Sequence, residues 1–117
     1  MYGEDPFGAD LVALAGMAVG TRAIAVQRVH SIDAARGCQL VFFAPAAIDR
    51  LPRVLDALRT LPVLTVADSA GAAREGVALN MSIEQKRITF TANLIAARAA
   101  HLKFNAKLLR LATEVIQ

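Results

Sequence analysis

Asp68 and Ser69 offer the most chemistry, because they follow an apolar run at residues 63–67 that reads as a buried strand. Ligands in open α/β sheets bind beyond the carboxyl ends of the strands. Glu4 and Asp5 follow Tyr2-Gly3, which reads as the end of another strand, so three acids would meet at one sheet edge. That is the setting of a phosphoryl-accepting aspartate, with Asp68 as acceptor. The chemistry also needs a Lys after a later parallel strand to pair with the phosphate, and the sequence places none there. The competing reading is local: Asp5, and Asp68 or Ser69, cap the helices that follow them.

The other candidates are weaker. Gly71 and Gly76 match neither the dinucleotide fingerprint nor the phosphate-loop spacing; they read as turn-shaping residues around residues 70–74. His30 and His101 are too few for zinc, which takes three or four ligands in close groups, and Cys38 is near neither in sequence. Ser69 with Asp68 and a histidine would need a nucleophile elbow, and the motif is absent. The residues therefore point to no catalytic group, metal or cofactor. Cys38 is the only cysteine and has no intrachain disulfide partner. Its setting, Gly37-Cys38-Gln39-Leu40, is that of a small residue at the start of a buried strand.

Charge is unevenly placed. The net charge is +3, yet residues 1–60 hold six Arg against six acids, while residues 86–117 hold six Lys or Arg against Glu114 alone. Arg74, Arg98, Lys103, Lys107 and Arg110 are candidates for an anion-binding or partner-binding surface, since guanidinium groups grip carboxylate and phosphate in two-pronged fashion. Taken singly, each also fits an ordinary solvated face. Nucleic-acid binding is a poor match: the chain has 3 Lys, no Trp, 1 Tyr, and no aromatic residues interleaved with the basic ones.

These residues must be positioned by a fold that the hydropathy pattern outlines. At 117 residues and 56% hydrophobic content, the chain suits one domain with a sizeable core. No apolar run approaches the roughly 18–20 residues of a membrane span. Asp5-Pro6 starts a helix with Phe7, Leu11, Leu14 and Ala18 on one face, ending near Gly20. A strand is expected over residues 23–29, a one-turn helix capped by Ser31 and closed by Gly37, and a buried strand over residues 39–44. Pro45 opens a helix to about Thr60, with Ile48, Leu51, Leu55 and Leu58 as its inner stripe and Val54 beside them. The strand before Asp68 follows. Alternating helices and strands with short loops predict parallel strands joined by right-handed crossovers.

The pattern then switches to period two. Val77, Leu79, Met81 and Ile83 alternate with polar or small residues, as do Ile88 and Phe90, which predicts an antiparallel hairpin. Its connection, Gln85-Lys86, lacks Gly and Asn, which argues against a tight two-residue turn. Asn93 caps a helix to about Ala100, Lys103-Phe104 is a candidate edge strand, and Asn105 caps a last helix with Leu108, Leu111, Ala112 and Val115 inward. The expected architecture is a three-layer α/β fold: a mainly parallel sheet flanked by helices, with a C-terminal antiparallel hairpin.

The ordered set of short segments resembles a known family. Tyr2-Gly3-Glu4-Asp5-Pro6-Phe7-Gly8, Ala35-Arg36-Gly37-Cys38-Gln39-Leu40-Val41-Phe42 and Pro62-Val63-Leu64-Thr65-Val66-Ala67-Asp68-Ser69 stand in the order seen in the YfiR family of periplasmic regulators. Asn80, Arg87-Ile88-Thr89-Phe90, Asn93-Leu94, Ala96-Ala97-Arg98 and Lys107-Leu108-Leu109-Arg110-Leu111-Ala112 continue it. The resemblance implies a periplasmic sensor that represses a membrane-bound diguanylate cyclase by binding its periplasmic domain. Cyclic-di-GMP output and biofilm formation then fall. It further implies sequestration by an outer-membrane lipoprotein, and tuning by redox state and homodimerisation. Some relatives form the sensor ends of histidine kinases.

The chain departs from that pattern. A secretion signal and a first strand are expected ahead of Met1, and relatives carry more cysteines, one commonly just before the Gly-Glu-Asp-Pro-Phe stretch. Cys38 matches the family cysteine before the buried strand, without a partner here. A sheet short of its first strand would dimerise to cover the gap. The resulting expectation is a non-catalytic periplasmic regulator whose binding residues are drawn from Asp68, Ser69, Arg98, Lys103, Lys107 and Arg110. The alternatives are a ligand-sensing kinase input domain, with a small anion near Asp68 or the basic tail, and a small α/β enzyme.

Overall fold

The computed structural model describes residues 1, 2, 16, 18, 19, 22, 23 and 25–117. Its frame is a five-stranded sheet in the order β3-β4-β5-β6-β7, made by β3 (Leu40–Phe43), β4 (Leu64–Ala67), β5 (Leu79–Glu84), β6 (Arg87–Asn93) and β7 (Glu114–Ile116). All neighbouring pairs run parallel except β5 and β6, which form the antiparallel hairpin. A separate two-stranded ribbon pairs β1 (Ala18–Val19) with β2 (Arg22–Ala23). Among the described residues the helices are α1 (Ile32–Arg36), α2 (Leu51–Leu58), α3 (Ala72–Glu75), α4 (Leu94–Ala99) and α5 (Ala106–Leu111), with a 3₁₀ segment, Pro45–Arg50, leading into α2. This is the mainly parallel α/β sheet with helices and a hairpin that the alternating pattern predicts.

The sheet continues past β3 through the first two residues. Tyr2 N–H donates to the Phe42 carbonyl at 2.7 Å, and Ala44 N–H donates to the Tyr2 carbonyl at 3.0 Å. On the other side Val29 N–H donates to the Met1 carbonyl at 2.8 Å. Met1-Tyr2 therefore lies parallel between Val29 and Phe43, as a strand leading into Gly3 would. Among the described residues, pairing on that flank runs from Gln27 to Val29, opposite Met1 and Tyr2. Residues 25–28 have no regular structure, so the strand expected over residues 23–29 is reduced to its last part.

Period-two placement explains the continuous apolar runs of β3 and β4, because both sheet faces are covered. One face joins Tyr2, Val41, Phe43, Val63 and Ala67 to Leu51, Val54 and Leu58 of α2. The other gathers Met1, Phe42, Ala44 and Val66, with Leu64, Leu79 and Met81 against them. Leu51, Val54 and Leu58 fall at helical spacing, and Ile48 and Leu55 pack half-buried beside them. Pro52 sits in the first turn of α2, where its missing N–H leaves no helical bond unmade.

Three caps read from sequence form as expected. Ser31 Oγ accepts from Ala34 N–H (3.2 Å), Asn93 Oδ1 from Ala96 N–H (3.0 Å) and Asn105 Oδ1 from Lys107 N–H (2.7 Å). Other expectations are corrected. Most of the helix expected after Asp5 lies outside the described residues. At its expected end, Gly16 has φ +85°, which is not helical backbone, and Ala18 is in a strand rather than on a helix face. Lys103-Phe104 forms no strand. The last helix stops at Leu111, and Val115 belongs to β7, registered against Ala92 of β6.

The hairpin turn is also tighter than its sequence suggests. Six facing pairs run from Leu79–Ala92 to Glu84–Arg87, leaving two turn residues with φ +50° at Gln85 and +64° at Lys86. Positive φ at both is the mirror-image turn that matches strand twist. A non-glycine residue in this region costs about 1–2 kcal/mol, and the ladder holds both residues there. Gln85→Asn combined with Lys86→Gly is expected to raise stability by about 1–2 kcal/mol. Urea unfolding with an unchanged slope checks this; a loss of stability would mean the turn is not of this type.

Candidate functional site

The Asp68-Ser69 loop is built by backbone bonds and two left-handed glycines. Ala72 N–H donates to the Ser69 carbonyl at 3.2 Å, and Asn80 Nδ2 donates to the same oxygen at 2.8 Å. Gly71, at φ +79°, precedes α3, and no side chain caps that helix. Gly76, at φ +123°, closes it by donating to the Ala72 and Ala73 carbonyls. The glycines thus shape the turn, as their spacing suggests. The capping role expected of Asp68 or Ser69 is not filled, because Gly71 intervenes between them and α3. Asp68 is exposed and Ser69 half-buried at the edge of β4. Glu4 and Asp5 lie outside the described residues.

The basic tail is solvent-facing. Arg98 is exposed in the last turn of α4, Lys103 in the loop after it, and Lys107 and Arg110 on α5. None of the four makes a side-chain hydrogen bond or ion pair with another described residue. Arg74 is withdrawn from this set: it pairs with Glu114 at 2.7 Å, tying α3 to β7. The inner stripe expected of the last helix is largely absent. No residue of α5 is fully buried, and Leu111 is 70% exposed. Cys38 is half-buried between α1 and β3, its thiol 3.8 Å from the Ala34 carbonyl and free of any disulfide.

Two cavities open beside α2. A groove of about 770 Å³ runs between α2, α3 and α4, with Arg53, Arg59 and Arg74 among its lining residues. Its polar floor is committed to the fold. Thr65 Oγ1 accepts from Ala78 N–H at 2.9 Å, and Asn93 Nδ2 donates to the Ala73 carbonyl at 2.7 Å. Arg59 is held by Asp56 at 3.0 Å. The second cavity, about 880 Å³, lies at the carboxyl end of the Met1-Tyr2 segment and is lined by Tyr2, Arg36, Arg50 and Arg53 among others. Sequence reading missed this cluster because its members come from three separate segments. The one local signal is Arg50 and Arg53 around Pro52, one turn apart just after a buried strand.

Among the described residues, no three His, Cys, Asp or Glu side chains stand together as a metal site, and no helix is long and apolar enough to cross a membrane. The geometry presents an exposed basic tail, a loop at a strand edge, and two arginine-lined cavities. No curated protein matches the chain. The family described as YfiR/HmsC-like matches residues 1–113, nearly the whole sequence. This is a regulatory family of periplasmic proteins acting in diguanylate cyclase signalling. The ordered segments from Tyr2 to Ala112, the sheet they build and the match over residues 1–113 agree, and the chain belongs to the YfiR/HmsC-like family.

Proposed function

We propose that this chain represses a membrane-bound diguanylate cyclase by binding its periplasmic domain, so that cyclic-di-GMP output and biofilm formation fall. The observation that carries the reading is the family match over residues 1–113. The uncompensated charges of Arg98, Lys103, Lys107 and Arg110 support a docking surface for an acidic face, since exposed like charges steer a complementary partner. Ile95 and Leu111 are exposed apolar residues on the same two helices, α4 and α5, and supply area of the kind buried at interface centres. Asp68 and Ser69 form a second, smaller contact at the strand edge. Homodimerisation and capture by an outer-membrane lipoprotein belong to the same proposal, as the means by which repression is set and released. Cys38 adds redox control only where a partner thiol is supplied.

The test is reconstitution. Added to membranes carrying a candidate cyclase, the purified protein is expected to lower cyclic-di-GMP synthesis and to co-purify with the cyclase's periplasmic domain. Unchanged synthesis with no complex, across the cyclases encoded beside the gene, would sink the proposal.

A further inference from the structure

The cavity at the end of Met1-Tyr2 has the marks of a ligand site distinct from the basic tail. Its position is the first. The segment at residues 27–29 lies on one side of Met1-Tyr2 and β3 on the other, so the chain reverses its order of strand addition there. Open α/β sheets place ligands beyond the carboxyl ends of the strands at such a switch point.

The charges are the second mark. Asp33 and Arg36 line the cavity and neutralise each other at 3.2 Å. Arg50 and Arg53 also line it, are exposed, and form no hydrogen bond or ion pair with a described residue. Asp49 is the other carboxylate of the described lining. The third mark is Tyr2. Its residue is only 4% exposed and its ring lies 5.9 Å from that of Phe43. Yet it lines the cavity, and its phenol oxygen has no hydrogen-bond partner among the described residues. The hydroxyl is not among the buried polar atoms left without a partner, so it opens on the cavity, where it can donate to a group that enters. At about 880 Å³ the space is of small-molecule size.

We propose that this cavity binds a small organic oxyanion, a phosphate monoester or a carboxylate, gripped by Arg50 and Arg53 and accepting a hydrogen bond from the Tyr2 phenol. The site is an input separate from the partner surface, and its test needs no cyclase. Phenyl phosphate and benzoate, matched in ring and differing in oxyanion, are titrated calorimetrically into the full chain at constant ionic strength. Binding of either is expected, and the tighter of the two names the oxyanion. Arg50→Ala with Arg53→Ala should weaken it at least about tenfold. Tyr2→Phe, which keeps the ring against Phe43, should weaken it by roughly threefold or more. Arg59→Ala, in the other groove, should leave it unchanged. Both exposed arginines can be removed without touching the core, so a folded double variant that binds like the parent overturns the proposal. So does failure of both probes to bind at millimolar concentration.

Discussion

Replacing Asn93 with Ala is expected to lower the unfolding free energy by about 2 kcal/mol, and the melting midpoint by roughly 6–12 °C. Asn93 is 6% exposed and ends β6 where α4 begins. Its Oδ1 caps α4 through Ala96 N–H, its Nδ2 donates to the Ala73 carbonyl of α3, and its own N–H donates to the Ala78 carbonyl. One side chain therefore joins two helices to the end of the hairpin. Loss of an N-cap costs about 1 kcal/mol. Losing the second donor to the Ala73 carbonyl, which keeps its bond from Gly76 N–H, adds about 0.5–1.5 kcal/mol. Asn93→Ser keeps a cap oxygen while losing the bond to Ala73, so its cost should fall between wild type and Asn93→Ala. Equilibrium urea unfolding of the three proteins decides this. A loss below about 1 kcal/mol for the Ala variant would show that water replaces both bonds.

Asn93 also shows what a sequence makes legible. Its type, between an alternating run and an Ala-rich helix, marks a cap, and local chemistry is sufficient to place it. The same holds for Ser31 and Asn105. The apolar runs of β3 and β4 are legible because burial on both faces removes the polar alternation that an exposed face would impose. The misreadings are non-local. Leu108, Leu111 and Val115 fit a helical stripe, but Val115 is taken by pairing against Ala92, and that partner lies 23 residues upstream. Gln85-Lys86 carries no turn signature of its own; the ladder from Leu79 to Arg87 sets its geometry. The arginine-lined cavity was hidden for the same reason. Tyr2 lines one cavity with Arg50 and Arg53 only because Met1-Tyr2 inserts between Val29 and Phe43, and no spacing along the chain encodes that insertion.

Reversing the tail charges is expected to have the largest effect on partner binding. Lys107→Glu with Arg110→Glu converts two exposed cations on α5 into anions, a change of four charge units on a chain of formal net charge +3. Both side chains are exposed and unpaired with described residues, so melting should move little: surface charges without partners contribute within about 0.5 kcal/mol. Association is different. If an acidic face of the cyclase docks here, each reversal replaces attraction by repulsion at the contact, and like-charge juxtaposition costs several kcal/mol. Affinity should drop at least about hundredfold, with much of the loss in the association rate. The wild-type complex should weaken as salt rises toward the range where the screening length is about 8 Å. Asp68→Ala, at the strand edge, should change affinity by less than about tenfold, because one exposed carboxylate contributes little. Surface-plasmon measurements at two salt concentrations separate these outcomes. An unchanged association rate for the double reversal, with repression intact, moves the contact off the basic tail while leaving the family assignment where it stands.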